Sequence, residues 1–121
     1  MTKRKLSVQV RRAYDAPERD DGTRVLVDRL WPRGLVKAKA DIDEWCREVA
    51  PSTELRTWWC HDPARFTGFT RRYSAELRQA VRSEALAHLR DLVNRGTLTL
   101  LTATKQPEIR EAEVLAEMLG H

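Results

Sequence analysis

The chain predicts an α/β domain: a small, mostly parallel three-stranded sheet covered by about five helices. Three features carry that expectation. Leu6, Val8 and Val10 alternate with polar neighbours, the period-2 pattern of a strand with one face on a core. Val25, Leu26 and Val27 form an uninterrupted apolar run, as expected of a central strand buried on both faces. From Ile42 onward the apolar spacing changes to that of helices, and strands separated by helical material favour a layered α/β arrangement joined by crossovers.

Each element has a local cause. Ala16 to Thr23, APERDDGT, is dense in charge, Pro and Gly, so it reads as a loop or a single short turn after strand one. That connection is short enough for an antiparallel return, and the direction of strand one stays open. Strand two runs from Arg24 to Leu30 and is ended by Pro32 and Gly34. Ile42, Trp45, Cys46 and Val49 are spaced i, i+3, i+4, i+7, which predicts a helix closed by Pro51. Ser52 can cap a short helix carrying Leu55, Trp58 and Trp59. Asp62 followed by Pro63 is a stronger start signal, because the carboxylate accepts from first-turn amides and proline has none to leave unpaired. Phe66, Phe69, Tyr73 and Leu77 mark the buried stripe of the helix that follows. Val81, Ala85, Leu89, Leu92 and Val93 continue the helical pattern to Gly96, which suits the left-handed position after a helix. Thr97 to Thr102 reads as strand three, and Pro107 opens a last helix with Leu115, Met118 and Leu119 on its apolar side.

The 121 residues fit a single domain, 1–121, and the balance of 41% hydrophobic to 33% charged residues is that of a globular chain rather than a disordered one. No apolar run approaches a membrane span and the first residues lack a signal-type apolar block, so a cytoplasmic protein with no membrane partner is expected. A net charge of +4 suits an anionic ligand and equally suits simple solubility. Cys46 and Cys60 cannot supply a disulfide framework, and neither Cys60 nor His61 has the partners of a zinc site, so no metal is expected. With no phosphate loop, no Gly-x-Gly-x-x-Gly and no Ser-His-Asp order, no cofactor is expected either.

The stretch VLVDRLWPRG is the most informative, because open α/β sheets bind ligands beyond the carboxyl ends of their strands. It delivers Asp28, Arg29, Trp31 and Arg33 to that end. A parallel strand one would add Arg11, Arg12 and Tyr14, and strand three would add Thr102, Thr104 and Lys105. Guanidinium groups fork onto phosphate or carboxylate and Trp31 can wall a pocket, so a small anionic or nucleotide-like ligand fits. Asp28 would orient an arginine or act as a base, with Arg29 beside it. Against this stands a purely structural use of the same charges in an internal ion-pair network. His61 with Asp62 forms an acid–base pair on one view; on the other, Asp62 caps a helix and His61 is exposed before it.

Two other functions compete. A DNA-binding regulator would track phosphates with the basic N-terminus and with Arg71, Arg72, Arg78 and Arg82, although no helix-turn-helix is evident between Ala50 and Leu92. A homodimer could form on the exposed side of the tryptophan-rich helices.

VLVDRLWPRGL, then LVKAKADIDEW, then APSTELRTWWCHDPARFTGFTRRYSAEL closely resemble the YeaO-like family of small bacterial proteins of unknown function. The likeness runs from about Val8 to the last helix. It implies the α/β fold and draws Lys37, Ser52, Thr53, Glu54, Leu55, His61, Asp62 and Pro63 into view beside Asp28, Arg29 and Trp31 to Gly34. Family members carry a His-Asn-His-like cluster opening the last helix. Here the matching positions are Ile109, Arg110 and Glu111, a departure that weighs against an enzymatic activity.

Overall fold

A computed structural model describes residues 7–60, 62–103 and 109–120. Four strands, rather than the three expected, form one sheet: β1 (Val8–Arg12), β2 (Thr23–Leu26), β3 (Glu44–Trp45) and β4 (Leu98–Thr102). Their order is β1-β4-β2-β3 and every pairing is parallel. Strand one therefore runs with the others. Val8 pairs with Leu98 and Arg12 with Thr102, while Thr23 to Leu26 match Leu98 to Leu101 on the other side of β4. All four carboxyl ends consequently emerge along one edge.

Five α-helices accompany the sheet: α1 (Lys37–Ala40), α2 (Thr53–Trp59), α3 (Phe66–Glu76), α4 (Ala80–Arg95) and α5 (Ile109–Gly120). The strand alternation divides their work. Val25, Val27, Leu98 and Leu100 join one core with Leu55, Trp59, Phe69, Tyr73, Leu89 and Leu115 of the longer helices. Leu26 and Leu101 face the other way, into a small cluster with Ala13, Ala40 and Ile42 that Trp31 and Leu35 close. The second face is thus covered by loop and one helical turn.

The helix expected across Ile42 to Val49 does not form. Asp43 and Cys46 instead donate their amides to Arg24 and Leu26 carbonyls of β2 at 2.9 and 2.8 Å, which makes Glu44–Trp45 the fourth strand. A 3-10 turn at Arg47–Val49 follows. Ile42, Cys46 and Val49 are still buried, so the apolar spacing was met by a strand and a turn, leaving Trp45 exposed rather than in the core. Val81 is likewise exposed, at the start of α4. Ser52 caps α2 by accepting from the Leu55 amide at 3.1 Å, and Asp62 accepts from Ala64 at 2.9 Å ahead of Pro63. Gly96 is extended, not left-handed; its φ is 160°.

The largest buried polar side chain among the described residues, Arg24, sits in a small ionic network. Arg24 and Asp21 are both about fully enclosed and bonded to each other, Arg24 Nε donates to the Ala40 carbonyl at 3.0 Å, and Arg11 reaches Asp21 at 3.1 Å and Glu18 at 2.9 Å. Burial works against the charged Asp21 carboxylate, but the Glu18 amide and the Arg24 and Arg11 guanidiniums more than offset it, so its pKa lies below the ordinary value. A depressed folded-state pKa contributes stability above the unfolded value, near about pH 4, and loses it as pH falls through the folded one. Denaturation midpoints should therefore hold steady above about pH 5 and fall on acidification, and Asp21→Asn should remove much of that acid-side slope. Gly22 has φ +63°, and a Cβ there would lie 2.2 Å from the Thr97 carbonyl oxygen. Gly22→Ala should lower unfolding free energy by roughly 1–3 kcal/mol in chemical denaturation.

Candidate functional site

β2 ends at Leu26, and the chain runs on through Val27 to the carboxyl edge of the sheet. There the Asp28 carboxylate accepts from the Thr102 hydroxyl at 2.7 Å and from the Ala103 amide at 2.8 Å. Asp28 is thereby fastened to the end of β4. Arg29 follows it into solvent, and none of the described residues pairs with its guanidinium.

Arg29 borders two connected hollows. The larger, about 590 Å³, lies between it and Arg47, Ser52, Thr53 and Arg82. The smaller, about 180 Å³, is bounded by Asp28, Arg56 and Glu111, with Arg29, Leu30 and Ala50 common to both. A further groove of about 590 Å³ continues past Ser52 and Arg82 to Trp58, Arg72 and Glu76. Volumes of this order accommodate a metabolite-sized ligand.

Acids share the cleft with the arginines: Glu48 and Glu54 line the larger hollow, Glu48 at 3.5 Å from Arg47. Glu76 receives the Ser52 hydroxyl and, at 2.8 Å, the Ser52 amide. Glu111 pairs with Arg56 at 3.5 Å. Arg82 donates to the Ala50 carbonyl and to the Gln79 side chain, each at 3.1 Å, and so keeps its charge without a carboxylate against it. In the core, Tyr73 donates to the Val49 carbonyl; burial above all, helped by Glu111, pushes its phenol pKa far upward and keeps it neutral. Cys46 is held as a thiol with a pKa raised to about 11 by burial and by Glu48 and Glu44.

The residues picked from sequence divide into groups. Asp28 and Arg29 share the cleft. Trp31, Arg33 and Lys37 lie on the adjoining segment: Trp31 donates to the Leu35 carbonyl at 3.0 Å, the Arg33 side chain is exposed while its carbonyl receives the Tyr14 hydroxyl at 2.7 Å, and Lys37 opens α1. Arg11 is committed to Glu18 and Asp21 and is not gathered with Arg29. His61, Thr104 and Lys105 lie outside the described residues. Arg47 and Arg56 carry no sequence signal for this site, and the sequence points to Arg82 only as a DNA contact and to Glu111 only as a departure from the family cluster. They sit on separate elements with no common sequence spacing, so only the fold brings them to one edge.

Arg71, Arg72, Arg78 and Arg82 do not form one helical face. α3 stops at Glu76 and α4 begins at Ala80, while Arg72 lies over Trp58 with its guanidinium 3.9 Å from the ring centre. Trp59 is buried against Phe69. No helix among the described residues is long and apolar enough to cross a membrane, and no metal-holding group of His, Cys, Asp and Glu occurs among them. Replacing Asp28 by Ala should release the end of β4 and leave the Ala103 amide unpaired, lowering stability by about 1–3 kcal/mol in denaturant titrations.

Comparison with known proteins places the chain. An uncharacterised protein of Mycobacterium tuberculosis and one of Mycobacterium bovis are each 47% identical to it over 117 residues, covering 97% of both chains. Uncharacterised protein YeaO of Escherichia coli is 40% identical over 114 residues, 94% of this chain and 97% of its own. No solved structure matches. The model of one family, described as the inactive DUF488-N3 subclade, matches residues 7–121, and with YeaO at that identity over almost its whole length, the chain belongs to this YeaO-like family.

Proposed function

We propose that this chain binds a small anionic ligand, of phosphate or nucleotide type, in the cleft at the carboxyl edge of its sheet. The observation that supports this reading is Arg29: a guanidinium just beyond β2 with no acid against it among the described residues, on the wall of a hollow of about 590 Å³. Arg47 and Arg82 line the same hollow and Thr53 adds a hydroxyl group, while Glu48, paired with Arg47 at 3.5 Å, and Glu54 line it as well. An anion placed among them would gain charge-assisted hydrogen bonds without displacing an internal ion pair of Arg29 or Arg82.

Binding is favoured over turnover. The family carries the description inactive, and the side chains most suited to chemistry are engaged elsewhere. Ser52 caps α2 and donates to Glu76, and Asp28 is fastened to β4. The free thiols of Cys46 and Cys60 fit a reducing, cytoplasmic setting.

The test is a thermal-shift and calorimetric panel of inorganic phosphate, pyrophosphate and nucleoside mono- and diphosphates. At least one should raise the melting temperature of the wild type. Arg29→Ala, an exposed change expected to alter stability by no more than about 0.5 kcal/mol, should weaken that ligand by about 1.5–3 kcal/mol, roughly tenfold or more. A panel that leaves the wild type unmoved, or a shift identical in Arg29→Ala, would sink the proposal.

A further inference from the structure

The segment after Asp28 reads RLWPRGLVKAKA, with four cations and no acid before Asp41. It folds back on the second face of the sheet. Trp31 and Leu35 pack on the cluster there, and Gly34 reverses the chain at φ 78°. The Tyr14 hydroxyl holds the Arg33 carbonyl at 2.7 Å. What this leaves outside is unusual: Tyr14 is 49% exposed, Val36 51% and Trp45 37%, among the exposed side chains of Arg33, Lys37 and Lys39. None of those three cations has a carboxylate partner among the described residues. Single exposed apolar residues are ordinary, but aromatic rings interleaved with uncompensated cations combine two independent signals of a polyanion carrying planar groups.

The rings are held, not loose. Trp31 and Trp45 meet edge to face with centres 5.4 Å apart, and the Arg47 guanidinium lies 5.5 Å from the centre of Trp45. Both indole N–H groups point inward to main chain, Trp31 to the Leu35 carbonyl at 3.0 Å and Trp45 to the Asp28 carbonyl at 2.8 Å.

We infer that this face binds single-stranded nucleic acid, the phosphates following Arg33, Lys37 and Lys39 and a base stacking at Trp45 or Tyr14. Stacking tolerates any sequence, and the cations supply a salt-sensitive attraction to the backbone. An anionic membrane would meet the same cations, but an interfacial tryptophan keeps its N–H for the wet side, whereas both indoles here have used theirs internally. Arg47 borders both this face and the anion cleft, but the inference does not use Arg29 and is tested by other variants.

Fluorescence anisotropy of short labelled DNA and RNA single strands of mixed sequence, in about 50 and about 200 mM salt, provides the test. Saturable binding that weakens with salt is expected for at least one of them, and a preference would identify which sugar the surface reads. Trp45→Ala should cost roughly tenfold in affinity. The exposed double change Lys37→Ala with Lys39→Ala, which leaves the rings in place, should weaken binding and reduce the logarithmic salt slope by about one to two. Arg71→Ala on α3 should bind like the wild type. Absence of binding to both strands at the lower salt overturns the inference, and so does unchanged binding by the lysine pair variant. Co-sedimentation with phosphatidylserine vesicles that depends on Trp45, while neither strand is bound, overturns it in favour of a membrane surface.

Discussion

Asp28 accepts from the Thr102 hydroxyl and the Ala103 amide, and that pairing joins the ends of two neighbouring parallel strands. Parallel strands release their last carbonyls and side chains along the same edge, so a single carboxylate bridging β2 to β4 fixes where the chain departs. Arg29 then turns toward the helices on one side, while Trp31 and Leu35 turn to the opposite face of the sheet. The cleft and the aromatic surface are the two sides of one exit. They differ in chemistry because one borders α2, α4 and α5 and the other borders only loop and the single turn of α1.

The two faces of the sheet are stabilised by different means. Aromatic and aliphatic side chains of four helices cover the first, where Trp59, Phe69 and Tyr73 form a continuous set of ring contacts. The second has little apolar material to bury and instead encloses Arg24 and Asp21. Such a pair is weak support when compared with apolar packing, but leaving either charge without the other is strongly unfavourable. The consequence is that Arg11, attached with Arg24 to the network, serves the scaffold, whereas Arg29, Arg33, Lys37 and Lys39 have no carboxylate partner among the described residues.

Much of this was legible in the sequence, and the failures have physical causes. Three consecutive apolar residues at Val25 to Val27 and the TLTLLT run could only suit a sheet covered on both faces, and both lie there in the interior of the strand order. Ser52 and Asp62 are caps because a short oxygen-bearing side chain before a first turn has amides within reach. Ile42 to Val49 misled because helical spacing constrains only where side chains point. A two-residue strand followed by a 3-10 turn also buries Ile42, Cys46 and Val49, and the deciding factor was a distant pair of β2 carbonyls able to take the Asp43 and Cys46 amides. The site was half legible. Asp28 and Arg29 belong to a motif on one strand, but Arg47, Arg56, Arg82 and Glu111 come from four other places and share no local signal.

Glu111 of α5 bears on what the cleft can do. Its carboxylate lies 3.5 Å from Arg56 and lines the hollow that Asp28 also lines. The smaller hollow is thus lined by two carboxylates, Asp28 and Glu111, and the larger by Arg29, Arg47 and Arg82 with Glu48 and Glu54. On the proposed reading, an anion would meet the arginines of the larger hollow and be repelled by the carboxylates of the smaller one.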